Sequence, residues 1–463
     1  VRVPPEAPSG ASTPHGKAQY PPSARKATGG TRAAASPIEA VTPAPTEAEE
    51  PQTPLSKTPR HTDRAPPFRV IPLPPLDISL TTLSHTTISP MKHFRPTALL
   101  AALALSGLMA TTAQAADTLR IALPGPTTGP VAQYGSMVRE GAFTAIEQIN
   151  AAGGVNGQQL EGVVIDDACE PKQGPIAANR AINEDIHFVV GHVCSGATIA
   201  AAAIYDEEGV LMITPSATAP ALTDGKNYEY IFRVTGRDDQ QGPAAAQYIL
   251  DVAKPKKVAI LHDKQSYGQG IANAVRVTLE KAGLKPVLFE GINAGDADYS
   301  AIITKLRSQG VDFVYYGGYH PEMGLLLRQA AEQGVKAKFM GPEGAGNPDI
   351  NAIAGDAVEG MLLTLPKDFS TDPANAAIVK AFQAKKRDAS GAFQLSAYAA
   401  VQAIVDGIKA TGSDDPEQVA KWLHANTVKT PVGELKWTQQ GDLESYPYVV
   451  YTWHKDGSKT LSK

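Results

Sequence analysis

From residue 118 onward, short apolar runs alternate with longer segments in which apolar positions recur every three or four residues. TLRIALP (118–124) predicts a strand, and SMVREGAFTAIEQINAAGG (136–154) predicts a helix stopped by Gly153 and Gly154. LEGVVIDDA, HFVVG and VLMITP continue as strands, with IAANRAINE and ATIAAAAIYDEEG as the helices between them. These connections are too long for hairpins, so the order predicts a mostly parallel sheet covered by helices.

A second series of the same kind starts near residue 243. Its helices are PAAAQYILDVA, GIANAVRVTLEKAG, YSAIITKLRSQG and EMGLLLRQAAEQG, and its strands are KKVAILHD, KPVLFEGI, DFVYYGG, KFMGPEG and EGMLLTLP. Residues 367–463 hold three further helices and two strand-like segments, GELKWTQQGDL and YPYVVYTWHKDG. This is too little for a third α/β unit, so these elements are expected to complete the first two. The chain then crosses between the units several times, which makes a hinge and a cleft.

The first 117 residues read differently. Eighteen of the 37 prolines fall in residues 1–90, amid Ser, Thr and Ala and without sustained apolar periodicity. Such a segment buries too little surface to offset its chain entropy and is expected to be disordered. At Met91 the sequence becomes MKHFRPTALLAALALSGLMATTAQAAD. Lys92 and Arg95, the apolar run 97–109 and Ala113-Gln114-Ala115 have the order of a secretory signal peptide, with cleavage near Ala115. The run is shorter than the roughly 20 residues of a transmembrane helix. The expectation is that translation starts at Met91, that residues 1–90 are a gene-start artefact, and that a soluble, exported chain without a lipid anchor remains.

Residues 116–463 carry 31 Lys plus Arg and 40 Asp plus Glu, with no basic cluster, so nucleic acid is not an expected partner. No G-x-G-x-x-G follows the first strand, and neither G-x-x-x-x-G-K-[ST] nor G-x-S-x-G occurs. Nothing therefore points to a dinucleotide, a nucleoside triphosphate, another cofactor or an acyl-transfer nucleophile.

The chain has two cysteines, Cys169 in IDDACEPKQ and Cys194 in GHVCSGAT, each just past a predicted strand. Export to an oxidising compartment favours their pairing. Two other readings stand beside it: a thiol nucleophile served by His192, and zinc bound by Cys169, Cys194, His192 and Asp167. Ser195 opens the next helix, either as an N-cap contributing about 1 kcal/mol or as an anion receptor with the free N–H groups there. Ser216, Ala217 and Thr218 follow the next strand, also at a carboxyl end, where ligands of open α/β sheets collect. Glu343 sits in the glycine-rich MGPEGAGN, and Tyr134, Tyr267 and Tyr319 stand at strand-to-helix turns. Together these describe hydroxyl and N–H donors for a carboxylate on one unit, and a carboxylate for an ammonium on the other.

GPVAQYG, DDACEPKQ, GHVCSGAT, MITPSATAP, HDKQSYGQG, DFVYYGGYHPEMG, KFMGPEG and AGDAVEGML, in that order, resemble the periplasmic leucine/isoleucine/valine-binding proteins of bacterial ABC transporters. The resemblance covers residues 116–463. It implies the two-lobed type I periplasmic binding protein fold, α/β with three interlobe crossovers. One lobe is then 116–237 with 367–445, and the other 238–366 with 446–463. It implies a Cys169–Cys194 disulfide, a monomer, no enzymatic activity, and delivery of Leu, Ile or Val to the permease and ATPase subunits of an importer.

By motif, it implies that Ser195 and Thr218 bind the α-carboxylate and that the carbonyl of Ser216 and the carboxylate of Glu343 take the α-ammonium. Tyr134, Val193, Cys194, Tyr267 and Tyr319 then line the side-chain pocket. Ser216 replaces the Ala or Gly of relatives, and Tyr134 stands where leucine-selective relatives have Trp, which implies broader selectivity. A sensor of amides or small amino acids with the same fold is the alternative.

Overall fold

The computed structural model describes residues 118–462. The proline-rich segment and the signal-like segment lie outside them. The first sheet holds β1 (Thr118–Gly125), β2 (Gln159–Asp166), β3 (Phe188–Val190), β4 (Leu211–Thr214) and β5 (Ile231–Arg233), in the order β2-β1-β3-β4-β5 and all parallel. Its helices are α1 (Ala132–Ala151), α2 (Gly174–Asn183) and α3 (Ser195–Glu207). Both faces of such a sheet are covered, which is why β3 to β5 are buried at every position.

The second sheet follows α4 (Asp238–Tyr248). It contains β6 (Val258–His262), β7 (Leu288–Gly291), β8 (Phe313–Gly317), β9 (Lys338–Gly341) and β10 (Met361–Pro366). Between these strands run α5 (Ser266–Lys281), α6 (Ser300–Gln309), α7 (His320–Glu332) and the short α8 (Ile350–Ala354). The chain then returns to the first sheet with α9 (Ala376–Ala384), α10 (Gln394–Thr411), α11 (Pro416–Ala425) and the hairpin of β11 (Val428–Thr430) and β12 (Gly433–Leu435). Phe382, Leu395, Ile404, Trp437 and Leu443 share a core with Ile121, Phe188 and Phe232. Finally β13 (Tyr448–Trp453) crosses back to pair antiparallel with β10, and β14 (Lys459–Leu461) covers its edge. The second sheet has the order β14-β13-β10-β9-β8-β6-β7.

Several boundaries differ from the sequence reading. Residues 231–233 carry no strand signal because the run is three residues long and ends in an arginine; Arg233 is nevertheless fully buried, with Nε 2.6 Å from Asp442. Helix α4 starts at Asp238, five residues before the expected start at Pro243, which lies inside the helix. Most of GELKWTQQGDL is not strand; Trp437 there donates from its indole to the Arg233 carbonyl at 2.8 Å, tying the return segment to β5. Among the described residues no helix is long and apolar enough to cross a membrane.

Candidate functional site

The carboxyl ends of β3 and β4 in one lobe, and of β6, β8 and β9 in the other, face a shared pocket. Tyr134, Val193, Ser195, Ser216, Tyr267, Tyr319, Glu343, Gly344 and Phe393 line it. Seven of the nine residues singled out in the sequence are therefore brought together. Thr218 and Cys194 are buried beside the wall and do not line the cavity.

The first-lobe wall is built by the 191–195 loop. Cys194, extended, is the N-cap of α3, so Ser195 is the first helical residue and not the cap. Its hydroxyl instead accepts the Ala219 N–H at 3.3 Å, which joins the two strand-end loops. The first N–H groups of α3 have no intrahelical acceptor and carry the positive end of the helix dipole. The Ser216 hydroxyl donates to the Val193 carbonyl at 2.9 Å.

Cys169 and Cys194 form a disulfide with Cα atoms 5.4 Å apart, leaving no free cysteine. His192 is fully buried behind it, with Nδ1 2.6 Å from Asp167 and Nε2 3.2 Å from the Tyr205 hydroxyl. The pair therefore orients the loop, and neither a thiolate nor a free imidazole is available for nucleophilic chemistry. Among the described residues, no group of three or more His, Cys, Asp or Glu is arranged to hold a metal ion.

The rest of the lining is aromatic with one acid, drawn from both lobes. Tyr267 and Tyr319 have ring centroids 5.2 Å apart, Tyr134 and Tyr319 6.0 Å, and Tyr134 and Phe393 5.7 Å. Gly344 is held from both lobes: its carbonyl accepts the Tyr134 hydroxyl at 2.7 Å, and its N–H donates to the Tyr267 hydroxyl at 3.0 Å. A Cβ here would stand 2.6 Å from the Tyr267 ring, so the close approach requires glycine.

Glu343 is 2% exposed. It accepts a hydrogen bond from the Gln241 amide, while its other oxygen has no partner. Burial pushes its carboxyl up to about 7, against the opposing hydrogen bonds of Gln241 and Tyr267. A buried carboxylate with a vacant acceptor, opposite hydroxyl and N–H donors, is complementary to a small zwitterion with an apolar side chain.

Sequence reasoning missed Phe393, Gln241 and Asp238. Phe393 precedes α10 in the return segment, and Asp238 and Gln241 share one face of α4; only the tertiary fold brings them here.

Two α/β lobes with a pocket between them, lined by hydroxyls on one side and a buried carboxylate on the other, are the architecture of a two-lobed binding protein. The chain belongs to the periplasmic binding protein family, whose model matches residues 118–458. A Leucine-, isoleucine-, valine-, threonine-, and alanine-binding protein of Pseudomonas aeruginosa is 58% identical over 365 residues, covering 79% of this chain and 97% of that protein. A Leucine-specific-binding protein of Salmonella typhimurium is 49% identical over 348 residues, covering 75% and 94%. In solved structures, a branched-chain amino acid transporter substrate binding protein from Streptococcus pneumoniae, in complex with isoleucine, superposes with a TM-score of 0.67. It is 26% identical and covers 75% of this chain and all of its own. The fold is thus the type I periplasmic binding protein fold.

Proposed function

We propose that this protein captures branched-chain L-amino acids between its lobes and delivers them, as a monomer, to an ABC importer in the membrane. The observation that carries the reading is the pocket that joins Ser195 and Ser216 on one lobe to Glu343 on the other through tyrosine walls. Relatives whose names specify leucine, isoleucine and valine support the ligand class.

In this reading the Ser195 hydroxyl, the α3 N–H groups and Thr218 receive the α-carboxylate. The Ser216 carbonyl and Glu343 take the ammonium, and Tyr134, Val193, Tyr267, Tyr319 and Phe393 enclose the aliphatic side chain. Cys194 acts through the disulfide that fixes Ser195. The ligand biases closure because it touches both lobes. An apolar pocket separates one methylene by only about 1–3 kcal/mol, so Leu, Ile and Val compete for it. Tyr134, smaller than Trp, leaves room for that breadth.

The lobes divide as residues 116–237 with 367–445 and 238–366 with 446–463, a reading supported by sheet membership. Residues 91–115 act as the export signal. The direct test is amino-acid analysis of material released when the protein, purified without refolding, is denatured. Leucine, isoleucine or valine in near-stoichiometric amount is expected; stoichiometric release of a different ligand class would overturn the reading.

A further inference from the structure

Ser195 and Tyr267 line the ligand pocket, whereas their chain neighbours Gly196 and Ser266 line a second, outer space of about 590 Å³ between the same lobes. Among the described residues only Tyr319 belongs to both linings. It is the N-cap residue of α7, rooted in the second lobe, and is 8% exposed. Its ring packs beside Tyr267, with centroids 5.2 Å apart, and Tyr134, at 6.0 Å. Its hydroxyl stands 4.0 Å from Cys169 Sγ, in the disulfide of the first lobe. The ring therefore spans the cleft from one lobe to the other and forms the wall between the two spaces.

The two sides of that wall differ in chemistry. Inside, Glu343 is the one acid among the described lining residues. With Glu343 taken by an α-ammonium, nothing in the lining pairs a second cation, and a buried unpaired cation is strongly disfavoured. The outer space carries exposed Glu170 and Lys264, with the largely buried Glu322 accepting the Gly295 N–H at 3.0 Å. The Lys264 ammonium donates to the Asn293 side-chain oxygen at 2.7 Å. A cationic side-chain tip that reached this space would stay hydrated and face two carboxylates against one lysine, while its methylene stem lay along the tyrosines.

We propose that Tyr319 sets the length limit of the cleft: its ring seals the pocket from the outer space and so excludes amino acids whose side chain is an apolar stem with a cationic tip, arginine above all. The inference rests on the reading of the pocket as an aliphatic amino-acid site, in which the side chain runs from Ser195 and Glu343 toward the tyrosines. Removing the ring joins the two spaces. The methylenes of arginine then lie against Tyr134 and Tyr267, and its guanidinium projects into the outer space. Tyr134 lines the inner pocket alone, so removing it enlarges the pocket without opening it.

Calorimetric titration of the wild type, Tyr319→Ala, Tyr319→Phe and Tyr134→Ala with leucine and with arginine tests this, each protein first stripped of carried-over ligand. The wild type and Tyr319→Phe bind leucine and give no arginine signal. Tyr319→Ala loses leucine affinity and binds arginine at least about tenfold more tightly than the limit set by the silent wild type. Tyr134→Ala loses leucine affinity without that gain. Arginine binding by the wild type or Tyr319→Phe, an equal gain in Tyr134→Ala, or a Tyr319→Ala protein that binds leucine but not arginine overturns the proposal. If Tyr319→Ala does not fold, Tyr319→Leu takes its place with the same expectations.

A wild type that binds no leucine overturns the ligand reading. Crystal structures of the wild type and Tyr319→Ala with the lobes closed then decide the partition by themselves, as they do for a folded variant that binds neither amino acid. Spaces continuous in the variant alone support it; spaces separate in the variant, or continuous in the wild type, overturn it.

Discussion

Glu343 and Tyr134 make different contributions to the same cavity. In the proposed complex, removing the Glu343 charge strands a buried ammonium at a cost of about 2–5 kcal/mol. Removing the Tyr134 hydroxyl loses its hydrogen bond to the Gly344 carbonyl, about 1 kcal/mol net. Calorimetry is therefore expected to find leucine binding weakened far more by Glu343→Gln than by Tyr134→Phe, and comparable losses contradict the assignment. In the free protein the sign is opposite. The Glu343 carboxyl is raised to about 7, above the roughly 4.3 of an unfolded chain, so its contribution to stability is full below pH 4 and lost as pH rises through 7. Without ligand, Glu343→Gln is expected to gain stability over wild type between pH 5 and 8 in urea unfolding. A difference that does not change with pH contradicts this. The residues that the sequence did not reveal here, Asp238, Gln241 and Phe393, have ordinary local contexts; burial and partners distant in sequence give them their chemistry.

The elements legible in the sequence were those whose whole length obeys one period. Strand β10 is buried at five consecutive positions, so MLLTLP is unmistakable, and Gly310 in the left-handed region ends α6 where an amphipathic pattern stops. Strand β5 was hidden because its buried arginine is neutralised by Asp442, more than 200 residues away. The start of α4 was hidden because buried Asp238 and Gln241 interrupt the apolar pattern. At the head of α3, the disulfide links residues 25 apart and holds the 191–195 loop against the segment after β2. The chain-entropy model gives it roughly 3 kcal/mol for a loop of this length. The Cys169→Ala/Cys194→Ala double variant is expected to lower the unfolding free energy by about that amount in reversible urea titrations. It should also weaken leucine binding, since Ser195 loses its anchor. Unchanged stability contradicts a structural role.

Across the whole molecule, three passages of the chain join the two sheets, and Tyr134 of one lobe meets Gly344 of the other. Alternating strands and helices foretold two α/β units. The enclosure of the cavity depends on contacts between residues 210 apart in sequence, such as Tyr134 to Gly344, which periodicity does not carry. The central claim is that this cleft takes small aliphatic zwitterions. Titration calorimetry of the purified protein, freed of carried-over ligand by unfolding and refolding, against Leu, Ile, Val, Ala, Phe, Glu and acetamide tests it most directly. Tight one-to-one binding led by Leu, Ile and Val is the predicted result. Absence of binding to these three, in protein shown to be folded, contradicts the account.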